Sequence, residues 1–197
     1  MAPRRVLHDK YFKQAKEEGY LARSAYKLKE LQQRFGLIRK GDRVLDLGCA
    51  PGAWLQVALE VVGPDGVVVG LDLKEVDERL VPGAFSMVGD AFEIDPKALM
   101  GESGKPFDVV LSDMAPNTSG HGDDLRSSHL CHRVLDVVGA VLRPGGNMAM
   151  KILEGAMYNE VLQRTKGMFP DAKGFKPKAS REVSREMYIV GTRHRPA

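Results

Sequence analysis

Between residues 9 and 35 apolar side chains recur every three or four positions. Tyr20-Leu21, Ala25, Leu28, Leu31 and Phe35 share one helical face, and Gly36 offers a stop. After Lys40-Gly41-Asp42 the period changes. Arg43-Val-Leu-Asp-Leu47 reads as a short buried strand, Gly48-Cys-Ala-Pro-Gly52 as a turn, and Ala53 to Val62 as a helix. The alternation then repeats. Val67 to Asp72, Phe85 to Gly89 and Phe107 to Ser112 read as strands. Asp123 to Leu142 is a long helix closed by Arg143-Pro-Gly-Gly146. Asn147 to Ile152 is a fifth strand, Tyr158 to Phe169 a helix, and Lys173 to Lys176 and Met187 to Thr192 two last strands.

Strands alternating with helices predict an α/β fold with a mainly parallel sheet covered on both faces. Ligands of such sheets sit at the C-terminal strand ends, so the residues directly after each strand matter most. No repeat or long linker divides the 197 residues, which suffice for one domain. We expect residues 1–40 to be a basic helical extension packed on a core domain of 41–197, in one folding unit.

Charge adds a pattern that the net value of +3 conceals. Residues 1–40 hold 11 Lys/Arg against 4 Asp/Glu, and residues 163–197 hold 9 against 3. The middle, 41–162, holds 9 against 19. Basic ends of this kind can follow a phosphate backbone, or can simply be solvated surface. No apolar run approaches the roughly 18 residues of a membrane span. Cys49 and Cys131 make no disulfide framework, and no secretory signal is visible. A cytoplasmic protein with no membrane partner is the expectation.

The strand ends carry acids. The first strand runs into Asp46-Leu-Gly-Cys-Ala-Pro-Gly52, whose glycines permit a tight turn and close backbone approach to a ligand. The second ends in Asp72, placed to accept hydrogen bonds from ribose hydroxyls. The third is followed by Asp90, placed to meet the amine of an adenine, with Phe92 as an apolar wall. The spacing Gly48-x-x-x-Gly52 is not the dinucleotide fingerprint, and a pyrophosphate gains little among so many acids. S-adenosylmethionine, an adenosine bearing a sulfonium cation, fits better. A nicotinamide dehydrogenase is disfavoured on the same ground.

A second group of residues could converge on an acceptor hydroxyl. Lys151 ends the fifth strand and Asp113 the fourth; Glu186 opens the last strand; Lys27 lies in the basic first helix. Each alone could equally be a surface ion pair.

These residues carry a resemblance. Asp9-Lys-Tyr-Phe, Arg23-Ser-Ala-Tyr-Lys27-Leu, Asp46-Leu-Gly-Cys-Ala-Pro-Gly-Ala-Trp54, Ser112-Asp-Met-Ala-Pro-Asn117, Pro144-Gly-Gly146, Lys151 and Ser184-Arg-Glu186-Met-Tyr-Ile-Val190 span nearly the whole chain. In them the chain resembles the FtsJ/RrmJ family of S-adenosylmethionine-dependent RNA 2′-O-ribose methyltransferases, and within it the large-subunit rRNA uridine methyltransferases of bacteria. The resemblance implies a Rossmann-like sheet of seven strands. It implies a catalytic tetrad of Lys27, Asp113, Lys151 and Glu186, with Lys151 as proton acceptor. Gly52, Trp54, Asp72, Asp90 and Asp113 match cofactor-contacting positions. Ala53 and Cys49 depart slightly from the family loop, and both are small. The implied partner is RNA, in particular rRNA within the large ribosomal subunit, with the chain acting as a monomer. A tRNA or mRNA-cap substrate and a non-catalytic assembly role are the alternatives.

In-line methyl transfer demands orientation and removal of the hydroxyl proton. Lys151 is expected as the base, with Lys27 beside it and the two carboxylates orienting the lysines. The alternative is a charged Lys151 that only positions the oxygen. RNA is expected along Arg4, Arg5, Lys10, Lys13, Arg23, Lys176, Lys178, Arg181 and Arg185. Tyr20 and Tyr26 could stack on bases, although their helical spacing favours core packing. His129, Cys131 and His132 lack the further ligands of a zinc site, so no metal is expected.

Overall fold

A computed structural model of the chain describes residues 10–117, 122–180 and 184–196. Arg4, Arg5 and Arg181, named above for RNA contact, lie outside the described residues. Among those described, seven strands form one sheet: β1 (Arg43–Leu47), β2 (Val67–Asp72), β3 (Ala84–Val88), β4 (Phe107–Ser112), β5 (Leu142–Leu153), β6 (Lys173–Phe175) and β7 (Glu186–Gly191). Their order is β3-β2-β1-β4-β5-β7-β6. β1 to β5 pair in parallel, while β7 runs antiparallel to both β5 and β6. The expected α/β architecture, with seven strands and helices on both faces, is therefore present. No helix among the described residues is long and apolar enough to cross a membrane.

Among the described residues are five helices: α1 (Lys10–Glu18), which packs on Tyr26 of the next helix, and α2 (Ala25–Phe35), α3 (Ala53–Val62), α4 (Asp123–Val141) and α5 (Tyr158–Met168), which cover the sheet. Strand side chains alternate between faces, so residue parity sorts the core into two layers. Val44, Val68, Val109, Leu111, Ala149, Tyr188 and Val190 pack with Leu28 and Leu31 of α2 and with Trp54, Leu55 and Ala58 of α3. Leu45, Leu47, Val110, Met148, Met150, Ile152 and Ile189 pack beneath α4 and α5. Leu28 and Leu31 are fully buried, each contributing about 2 kcal/mol of transfer free energy.

The first helical stretch differs from expectation. The period over 9–35 predicts one helix, but the chain breaks at Gly19, whose φ of 79° is left-handed, and makes two. The break docks on α3. Gln56 accepts from the Leu21 N–H at 2.9 Å and donates to the Gly19 carbonyl at 3.1 Å, and the Tyr20 hydroxyl donates to Glu60 at 2.6 Å. β5 also begins earlier than expected. Leu142 already pairs with Phe107, and the ladder shifts register before Val109 meets Asn147. The Arg143–Gly146 turn thus bulges within the strand. A Cβ at Gly146 would stand 2.8 Å from the Asp108 carbonyl, which leaves only glycine. Two short 3-10 turns, Glu78–Leu80 and Pro96–Met100, carry no apolar period and were not predicted. Asp77 and Asp95 cap them.

Candidate active site

Parity explains why distant residues meet. Asp46, Asp72, Asp113 and Lys151 continue the even or odd positions that face α2 and α3 on β1, β2, β4 and β5. They stand at the C-terminal strand ends, the ligand edge of such a sheet. β7 is reversed, so its first residue, Glu186, lands at this same edge. Tyr188 is the direct cross-strand partner of Lys151.

The four expected tetrad residues form one connected unit. The Lys151 Nζ stands 3.1 Å from Asp113 Oδ1 and also donates to the Asp113 carbonyl. Lys27, from α2, is ion-paired and hydrogen-bonded to Glu186. The Tyr188 hydroxyl lies 2.6 Å from Asp113 Oδ1 and 2.9 Å from Glu186 Oε1, and so joins the two pairs. One hydroxyl has one proton, so it donates to one carboxylate at a time. All four tetrad side chains are mostly buried, at 10–18% exposure. Burial pushes the Glu186 carboxyl up, but Lys27, Lys151 and the Tyr188 hydrogen bond outweigh it and hold it below the usual carboxylate range. Burial, followed by the charges of Asp113 and Glu186, holds the Tyr188 phenol protonated far above its ordinary range. Sequence reasoning assigned Tyr188 no role. Its signal was only its place two residues after Glu186.

The donor side uses shorter connections. Asp72 accepts from the Ala50 N–H at 3.0 Å and the Lys74 N–H at 2.9 Å. Asp90 is exposed and accepts from the Phe92 N–H at 2.9 Å. Gly52 opens α3 with φ of 114°, and a Cβ there would press on Leu21 and Val81 at 3.0 Å. Gly48 has the same constraint, because its Cβ would come within 2.9 Å of the Met114 backbone nitrogen. Trp54 is 2% exposed; its ring stacks on Tyr188 at 5.7 Å between centroids, and its N–H donates to the Ser24 carbonyl at 2.9 Å. It therefore braces the acceptor side from beneath.

Asp46 was placed at the first strand end by sequence but given no role of its own. It is fully buried, and neither carboxylate oxygen has a hydrogen-bond partner. Burial, then the charges of Asp113 and Asp72, raise its pKa well above the ordinary value, against the opposing pull of Lys151. The Asp46 carboxyl is thus held neutral beneath the Gly-rich turn, and the ligand that suits it is one whose positive charge favours its ionised form. A sulfonium-bearing nucleoside meets that requirement; a pyrophosphate does not.

The remaining predicted residues are scattered. Lys10, Lys13, Lys178 and Arg185 are exposed, and Lys176 donates to the Ser184 carbonyl at 2.9 Å. Arg23 donates to the Ala179 carbonyl and lines a cavity of about 270 Å³ with Lys27, Ser184 and Glu186. Tyr26 is buried in a small cluster with Ala15 and Ala179, and Tyr20 packs against it. The spacing that favoured packing for these tyrosines is explained. His129 lies against Phe92, His132 stands 3.4 Å from Glu160, and Cys131 is buried against the Lys151 carbonyl. Among the described residues no group of three or more His, Cys, Asp or Glu is arranged to hold a metal.

Residues 20–194 match the family model of FtsJ-like methyltransferases. The chain belongs to the FtsJ-like methyltransferase family. It is 46% identical over 192 residues to the ribosomal RNA large subunit methyltransferase E of Syntrophobacter fumaroxidans, covering 96% of this chain and 98% of that one. Among solved structures, a Plasmodium falciparum protein designated a ribosomal RNA methyltransferase superposes with a TM-score of 0.80 at 29% identity, over 90% of this chain and all of the other. Aeropyrum pernix fibrillarin, solved with S-adenosyl-L-methionine, gives 0.57 at 19% identity over 86% of this chain and 76% of its own, a likeness of fold. This FtsJ-like chain is thus matched along nearly its full length, and both the tetrad and the acidic strand ends lie within the matched span.

Proposed function

We propose that the chain transfers a methyl group from S-adenosylmethionine to the ribose 2′-hydroxyl of a uridine in large-subunit rRNA. One observation carries the reading. The ion pairs Lys27–Glu186 and Lys151–Asp113 stand beside the acidic strand ends with the Tyr188 hydroxyl between their carboxylates, in reach of either. Large-subunit ribosomal RNA is the substrate in the name of the relative that is 46% identical over nearly the whole length, and the uridine 2′-hydroxyl follows from the family resemblance. That substrate implies the cytoplasm, where ribosomal particles assemble.

S-adenosylmethionine, when bound, supplies an electrophilic methyl carbon on a sulfonium sulfur. Asp72 is the candidate for its ribose hydroxyls, Asp90 for its adenine, and Gly52 and Asp113 for the remainder, with Asp46 offsetting its positive charge by releasing a proton as the cation binds. On the acceptor side Lys151 is held so that it can take a proton. Ion-paired with Asp113, it acts as base only after releasing a proton; as a neutral amine it then has two N–H bonds for its two contacts to Asp113 and one lone pair for the incoming hydroxyl. Lys27, steadied by Glu186, places a cation beside the oxygen as negative charge develops there. Much of the acceleration comes from holding the hydroxyl in line, which buried and mutually bonded side chains achieve. The basic segment from Lys10 to Lys40 lies on the RNA side.

The test is transfer of labelled methyl from S-adenosylmethionine to large ribosomal particles that lack the modification. Label recovered on a uridine ribose 2′-oxygen supports the proposal. Measurable donor binding without transfer to particles or free rRNA overturns the substrate and sends the search to tRNA or caps.

A further inference from the structure

The stacking role considered for Tyr20 and Tyr26 has no free ring to serve it. Tyr26 is 7% exposed, and the Tyr20 ring lies under the Lys29 ammonium at 4.2 Å with its hydroxyl on Glu60. A different aromatic on the basic N-terminal segment is open. Phe12, on α1, is 64% exposed. A helical rotation of about 100° per residue puts Lys16, at i+4, on the same outward face as Phe12, with Lys13 about a quarter-turn to its side. The flank carrying Tyr11 and Ala15 is anchored. Ala15 is buried with Tyr26 and Ala179, and the Tyr11 ring packs on Tyr26 at 5.4 Å.

That anchor connects the open face to the acceptor pocket. Tyr26 precedes Lys27, so the residue that seats α1 is adjacent to one that builds the tetrad. Arg23 bridges the same interval: its guanidinium lies 6.0 Å over the Tyr11 ring and lines the cavity formed with Lys27, Ser184 and Glu186. A rigid path therefore runs from the α1 face to the catalytic side chains.

We infer that Phe12 is a stacking platform for an unpaired base of the RNA substrate, flanked by Lys13 and Lys16 as phosphate contacts. The inference rests on the proposed RNA methyltransferase reading and adds a binding subsite to it. A ring between cations matches the chemistry of single-stranded RNA, which offers a π-face at every base and a phosphate at every step. A duplex hides its base faces. The platform would fix the register of an unpaired nucleotide near the one being methylated.

The experiment measures RNA binding without methyl transfer. The probe is a single-stranded, uridine-rich RNA of about ten nucleotides, compared with the same sequence in a duplex. Phe12→Ala should weaken single-strand binding about ten-fold, the scale of one lost base stack, while leaving the salt slope and donor affinity unchanged. Lys13→Ala with Lys16→Ala should lower the salt slope instead. Phe12→Trp should restore affinity, and the introduced indole should be quenched by the single strand much more than by the duplex; the native Trp54 is buried and gives a constant background. Unchanged affinity in Phe12→Ala, or an indole indifferent to the single strand, overturns the platform. The two readings fail separately. Stacking without any methyl transfer sinks the enzyme assignment alone, and transfer with full RNA affinity in Phe12→Ala sinks the platform alone.

Discussion

Asp72 and Asp90 each accept a hydrogen bond from a backbone N–H two residues further along the chain. Glu186 takes its hydrogen bond from Lys27, 159 residues away. The donor side of the ligand edge is thus assembled locally, strand by strand. The acceptor side is assembled by topology: β7 has to run backwards, and α2 has to cross the sheet, before two ion pairs can close around Tyr188. The two sides still share a charge. Asp113 pairs with Lys151 on the acceptor side and its field falls on buried Asp46 on the donor side. On the proposed function, one strand edge holds a cationic ligand with acids and, one strand over, directs lysines at an acceptor.

The sharpest way to break this division is at Lys151. Lys151→Ala should reduce single-turnover transfer by about 10³-fold, the range of a lost general base, in a rapid-quench assay. Asp46→Asn should do the reverse. Donor affinity by calorimetry should match wild type where Asp46 keeps its proton and fall to about ten-fold below it at higher pH, where the bound cation draws out the ionised form, with the saturating rate nearly kept. Stability should change in the opposite direction. The folded-state pKa of Asp46 is raised, so the folded chain holds a proton that the unfolded chain releases as pH rises past the ordinary carboxylate range, and wild type loses stability there. Asp46→Asn removes that loss. Its melting temperature should exceed wild type at neutral pH, and the gap should close toward pH ~4.

Glu186→Gln probes the Lys27 pair. We expect a loss of about ten-fold in rate, within the range for orienting groups, and little further loss when Lys27→Met is added, because the two act as a unit. The folded-state pKa of Glu186 is lowered, so its stabilising contribution is complete above the ordinary carboxylate range and is lost only as pH falls through the lowered value. Acid melts of Glu186→Gln against wild type should converge only in that low range. The smallest effect belongs to Tyr188→Phe. Lys151 and Lys27 keep their own carboxylates, so only the bridge between pairs is lost, and transfer should fall a few-fold, about the value of one hydrogen bond.

The same contrast decides how much could be read in the sequence. Strand-end acids announce themselves, because Asp72 follows Val67-Val-Val-Gly-Leu directly and Asp90 follows its own strand. The architecture was legible from alternation alone. The tetrad was not. Nothing in the pattern near Lys27 or Glu186 separates them from surface ion pairs; family resemblance singled them out, and the hydrogen bonds through Tyr188 supply the physical reason. Asp46 was placed in the buried first strand, but its lack of partners, which sets it apart from Asp72 and Asp90, cannot be seen in a sequence. The break at Gly19 was hidden because its driving force, the Gln56 and Glu60 side chains, lies on another helix.

The most direct test is a calorimetric titration of S-adenosylmethionine into Lys151→Ala, with transfer measured on the same preparation. Donor affinity within about two-fold of wild type, together with the loss of transfer, is what two separable sides require. A fall in donor affinity comparable to the fall in rate would contradict them, and would make Lys151 part of the donor site.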